Sequence, residues 1–156
     1  LYIAIVALTM LVLPVLSIGA DAATHPAAPL MLLVGKWFVF WGVGVRLAMA
    51  GLRQFLQPAF TARQIFNMQS DEALILVREL GVANFGTGVV GLLSLVAPSF
   101  VMPVAISAGI FYGVAGVRHG LHPGRSRNET IAMVSDLGIA LVLIAVVASM
   151  ALGVGR

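Results

Sequence analysis

At 156 residues, 60% of them hydrophobic and only 10% charged, the chain lacks the polar surface of a soluble domain, which carries about 25% charged residues. The net charge of +3 does not point to nucleic acid, because the basic residues form no stripe and several lie inside apolar runs. The absence of cysteine excludes disulfides, thiol nucleophiles and thiolate metal sites.

Five apolar runs, at about 1–19, 30–52, 73–97, 101–121 and 130–154, predict an all-α membrane protein. Each run approaches the roughly 20 residues that a membrane helix requires. They lack the alternation of a barrel, and an open sheet cannot satisfy its edges in lipid. The expected form is a compact five-helix bundle, one polytopic domain over 1–156.

In the first run, Pro14 predicts a kink. Ala20-Asp21-Ala22 resembles a signal-peptide cleavage site, but no basic segment precedes the run, so a retained first helix is expected. The loop 20–29 has no Lys or Arg, and His25 in it is expected to be solvated. The second run carries Lys36, Trp37, Trp41 and Arg46. Lys36 has no matching acid at its depth. It is expected either to snorkel outward or, with Trp37, Trp41 and Asn84, to meet an anionic or quinone-like headgroup.

The segment 53–69 mixes apolar Leu56, Phe60, Ile65 and Phe66 with polar Arg53, Gln57, Arg63 and Gln64, and Pro58 interrupts it. It reads either as a short interfacial helix capped by Thr61 or as an irregular loop. Ser70 is the expected cap of the third helix, with Asp71 and Glu72 in its first turn. Pro123-Gly124 ends the fourth helix, and Asn128 is the expected cap of the fifth. Arg53 and Arg63 in one loop, and Arg118, Arg125 and Arg127 in another, fall on the same side of a five-span chain. The positive-inside rule makes that side cytoplasmic, with the N-terminus inside and the C-terminus outside; Arg156 alone dissents.

Four ionisable residues lie deeper: Arg46, Arg78, Glu79 and Asp136. At about 1.5 Å per residue they share a layer roughly 10–14 Å from the cytoplasmic helix ends. A charge at mid-membrane costs about 2.5–3.5 kcal/mol, so pairing is expected, with Arg46 bridging Glu79 or Asp136 and Arg78 joining them or snorkelling. The layer is either a structural lock or a site for a ligand, lipid or proton.

Glycines mark close helix packing. Gly109, Gly113, Gly116 and Gly120 recur along the fourth helix, and Gly88 lies among several on the third. They serve either packing within the protomer or an interface to another subunit. His119 and His122 share a helix face, but a metal needs further ligands and three arginines crowd the site; anionic lipid headgroups suit it better. No nucleophile elbow, P-loop, dinucleotide fingerprint, zincin helix or intramembrane histidine pair for haem occurs.

The stretches GVRLAMAGLRQFLQPAFTARQIF, VRELGVANFGTGVVGLLSL and GIFYGVAGVRHGLH, between residues 42 and 122, resemble the DoxX-like proteins and neighbouring small bacterial membrane families. That resemblance implies a four-helix unit, with the first helix an addition, in the bacterial inner membrane, and for some such proteins a link to quinone or redox systems. The functional expectation is a non-catalytic structural or accessory subunit of a larger membrane complex, partnered by lipids and by other subunits or its own copies. The alternatives are a carrier or binder of a lipid or quinone-like molecule, and a quinone-linked redox subunit. No cofactor is expected beyond a bound lipid or quinone.

Overall fold

The computed structural model describes residues 1–153. It contains five helices long and apolar enough to cross a membrane: α1 (Tyr2–Thr24), α2 (Leu30–Leu56), α3 (Glu72–Leu93), α4 (Val101–Leu121) and α5 (Arg127–Ala151). The chain is thus an all-α membrane protein. α1 runs five residues beyond its expected end, and α3 stops four short of its own. Val154 and Arg156, at the expected end of the fifth helix and beyond it, lie outside the described residues.

Two helices are locally widened. α1 has a π-helical stretch at Leu8–Val12, immediately before Pro14. Proline donates no N–H and its ring crowds the preceding turn, so the helix absorbs it by widening. α2 has a longer π-helical stretch at Phe38–Val45. One carbonyl of that stretch, Gly42 O, accepts the hydroxyl of buried Tyr112 on α4 at 2.8 Å. A polar atom in mid-bundle is thereby satisfied from a neighbouring helix.

The main apolar core lies among α1, α2, α4 and α5, around Met10, Val39, Val43, Tyr112, Ile139 and Leu143. α3 packs mainly on α2, backbone to backbone. A Cβ added to Gly88 would stand 2.3 Å from Ala48 N, one on Gly91 would stand 2.8 Å from Gly44 Cα, and one on Gly81 would stand 2.8 Å from Gly51 O. Gly88 therefore serves packing within the protomer. On α4 the glycines face α5, with Gly116 tight against Leu137 (2.7 Å to Cγ). Gly109, Gly113 and Gly120 leave ordinary contact distances there, 3.6 Å to Leu143, 3.8 Å to Ala140 and 3.5 Å to Met133.

The helix ends differ in detail from expectation. Asp71, not Ser70, precedes the first turn of α3, without a side-chain cap bond. Ser126, not Asn128, caps α5, its Oγ accepting the Glu129 N–H at 3.1 Å. Between α2 and α3 the chain makes one wide turn, Phe60–Ile65, and Thr61 is buried there instead of capping a helix.

The glycine contacts yield a stability test. Gly88→Ala is expected to lower stability by about 1–3 kcal/mol, because the methyl meets backbone that cannot rotate aside. Gly138, whose Cβ would meet nothing within 4 Å, is the control, and Gly138→Ala should be neutral or gain up to about 1 kcal/mol in helix propensity. Thermal unfolding of the detergent-solubilised variants measures both.

Candidate functional site

Polar side chains gather at three places: the Asp21 end of the bundle, the opposite basic end, and a pocket beneath that basic end. At the first, α1 and α2 form a hairpin whose turn sets Asp21 beside the start of α2. Lys36 Nζ donates to Asp21 Oδ2 at 2.6 Å, and Trp37 Nε1 donates to the same oxygen at 2.8 Å. His25 Nδ1 lies 2.8 Å from Oδ1. The Asp21 side chain is 7% exposed, that of Lys36 38%. One turn deeper, Trp41 Nε1 donates to Ser17 Oγ at 3.0 Å.

This corrects two expectations. Lys36 does have an acid, supplied by the first helix, and it neither snorkels free nor offers an unshared charge to a ligand. The second is one of detail: His25 is solvated as expected, its side chain 67% exposed, but its ring also joins the same carboxylate. A cleft of about 460 Å³ opens beside the cluster, lined by Leu32, Leu33, Leu95, Pro98 and Met150 as well as Asp21 and Lys36.

At the basic end, His119 Nδ1 lies 3.0 Å and His122 Nδ1 2.9 Å from Glu129 Oε1, with Glu129 buried. Phe66 stacks on the His119 ring at a centroid distance of 6.0 Å, and Ser126 Oγ donates to Gln64 O at 3.1 Å. The cluster ties the 57–71 segment to α4 and α5. Among the described residues no group of three or more His, Cys, Asp or Glu side chains is arranged to hold a metal ion.

The predicted layer of four charges divides in two. Asp136 on α5 is buried, within electrostatic reach of Arg46 and His119 but in no direct ion pair. Arg78 and Glu79 do not belong to this group. They are exposed on the far side of α3, and neither has an ion-pair partner among the described residues. The physical reason is the glycine contact: with Gly81, Gly88 and Gly91 against α2, the opposite side of α3 must face outward. Asn84, proposed as a ligand group, instead donates to Gln54 Oε1 at 2.8 Å and joins α3 to α2.

Arg46 lines a pocket of about 100 Å³ between the start of α1, the end of α2 and the Phe60–Ile65 turn. Its lining includes Tyr2, Arg46, Arg53, Gln54, Phe60 and Thr61. Arg46 Nε is buried with no hydrogen-bond partner among the described residues, and its guanidinium lies 5.8 Å from the Tyr2 ring centroid. Arg53 lies over Phe60, 3.5 Å from the ring centroid. Neither arginine makes an ion pair with a described carboxylate. Two cations thus share one small, aromatic-walled recess.

A family model described as a family of unknown function, DUF6790, matches residues 2–153. The chain belongs to the DUF6790 family. No curated protein and no solved structure matches it. The expected kind of family, small and uncharacterised, is the kind found, and the match does not extend to the DoxX-like proteins. In this DUF6790 chain the sequence pattern marked Lys36, Trp37 and Arg46 but passed over Asp21, Tyr2 and Gln54, which complete their surroundings.

The Asp21–Lys36 pair gives a second test. A double-mutant cycle of Asp21→Asn and Lys36→Met should return a coupling of about 1–3 kcal/mol, as for groups sharing one partly buried network. The exposed pair Arg63–Asp71, at 3.3 Å, should return about 0–1 kcal/mol in the same unfolding assay.

Proposed function

We propose that this chain is a non-catalytic membrane protein that binds an anionic amphiphile, its phosphate-type headgroup held between Arg46 and Arg53. One observation carries the reading: Arg46 Nε is buried without a protein acceptor in a recess that it shares with a second arginine lacking a carboxylate. A buried donor left unpaired costs about 1–3 kcal/mol or more when charged, and an anion removes that cost. Arginine forks suit phosphate oxygens, and Gln54 and Thr61 supply further polar groups at the rim.

The setting agrees with this ligand. Arg53, Arg63, Arg118, Arg125 and Arg127 lie at the same end of the bundle, which we assign to the cytoplasm of a bacterial inner membrane by the positive-inside rule, with the N-terminus inside. Anionic lipids are attracted to such a surface. A quinone draws less support from the pocket, because a neutral carbonyl uses the hydrogen bonds of two arginines but not their charge. The DoxX-like resemblance, with its link to quinone systems in some members, adds weight only to that weaker ligand.

A second reading, a structural or accessory subunit of a larger membrane assembly, is favoured by a separate observation. Arg78 and Glu79 stand unpaired on the outer face of α3, where a partner protein would meet them.

The lipid reading is tested by native mass spectrometry of the purified protein titrated with phosphatidylglycerol, with phosphatidylcholine as the zwitterionic, net-neutral control. Phosphatidylglycerol should be retained preferentially, and Arg46→Gln and Arg53→Gln should each weaken retention by about tenfold or more, the equivalent of one charge-assisted hydrogen bond. Equal retention of the two lipids, or no change in either variant, would remove the proposal.

A further inference from the structure

The outward face of α3 carries an apolar stripe with one charge of each sign beside it. Successive helix positions turn by about 100°. With Gly81, Gly88 and Gly91 turned to α2, an apolar stripe of Ile75, Val82, Gly86 and Leu93, all of them exposed, runs along the outward side of α3, roughly 150° from the mean direction of those glycines. Arg78 lies roughly 60° to one side of that stripe and Glu79 roughly 40° to the other. Both are exposed, and neither has an ion-pair partner among the described residues.

The two charges lie six and seven residues beyond Glu72, about 9–10 Å along the helix and inside the apolar span. Ionised groups at such a depth are expected to face a partner or a polar cavity rather than lipid. The bundle supplies neither on this side of α3.

We propose that α3 forms a two-fold symmetric contact with α3 of a second copy of this chain. An axis along the membrane normal keeps both copies in one orientation and equal residues at equal depth. Rotation by 180° about that axis exchanges the flanks, so Arg78 of each protomer faces Glu79 of the other. Both pairs form at once, as an isologous interface requires. Gly86 lies on the stripe with open space where a Cβ would stand, which lets the two backbones approach. The contact gives the subunit reading its partner and is independent of the lipid pocket on α1 and α2.

The chain has no cysteine, so one can be introduced without background. In native membranes, oxidation of full-length Gly86→Cys should produce a disulfide-linked dimer. Leu141→Cys, on the exposed face of α5, should not. Adding Arg78→Glu sets like charges against one another and should lower the cross-linked fraction by about tenfold or more. Adding Arg78→Glu together with Glu79→Arg restores complementarity and should return it to the Gly86→Cys level. No preference for position 86 over 141, insensitivity to the single reversal, or failure of the exchange to rescue would each overturn the proposal. A cross-linked product at position 86 with the mass of another protein would also overturn it, while leaving the wider subunit reading intact. Unchanged phosphatidylglycerol retention in the Arg78→Glu variant checks that the reversal has not unfolded the bundle.

Discussion

Where α3 meets α2, two backbones touch through Gly44, Ala48 and Gly51 on one side and Gly81, Gly88 and Gly91 on the other. In lipid, apolar side chains gain little by leaving their surroundings for each other, so contacts that bring backbones together decide which face of a helix is buried. This contact fixes the rotation of α3 about its own axis. Asn84 is turned inward to Gln54, and Arg78 and Glu79 are turned away from the bundle. Had α3 rolled by half a turn, its two charges would face α2 and the interior would have needed acids and bases to receive them.

The remaining polar groups follow a rule of local satisfaction. At each end of the bundle one buried carboxylate collects several donors: Asp21 gathers Lys36, Trp37 and His25, and Glu129 gathers His119 and His122. These clusters join sequence segments across turns, so they hold helix ends in register without mid-membrane charge. In the middle, the widened stretch of α2 exposes Gly42 O, and Tyr112 answers it. Around Arg46 and Arg53 two cations share a recess without a direct ion pair to a described carboxylate, with Asp136 within electrostatic reach of Arg46.

Much of the architecture was legible in residue order alone. Span number and approximate bounds follow from apolar length, and the glycines of α3 and α4 marked the tightly packed helices. What was not legible was which way each helix faced. The glycines at 81, 88 and 91 contained that information for α3, since they share one face and Arg78 and Glu79 do not lie on it. Reading depth ahead of rotation placed Glu79 in an internal network, with Arg78 joining it or snorkelling. The expectation that Lys36 has no acid at its depth overlooked the end of the first helix. Asp21 lay at the same end, across a short turn from α2, and its setting between two alanines drew attention to a cleavage pattern instead of to its charge. The π-helical stretch at Phe38–Val45 had no sequence signature beyond glycine and aromatic content, and it breaks the regular 1.5 Å and 100° steps on which placement of Arg46 relative to Lys36 depends.

The charges within this chain thereby sort by the partner that geometry allows them. Asp21 and Glu129 are answered inside the protomer, and doing so consumes Lys36 and both histidines of α4 and its end. Arg46 and Arg53 share a small recess, of a size that fits the headgroup-sized anion proposed for it. Arg78 and Glu79 flank an exposed apolar stripe of α3 and have no ion-pair partner among the described residues. The two-fold contact proposed for α3 would answer both with the same two charges in exchanged positions. Small lipid-embedded chains have few charges to distribute. Here the roll of one helix separates those that bind outward from those that lock the fold.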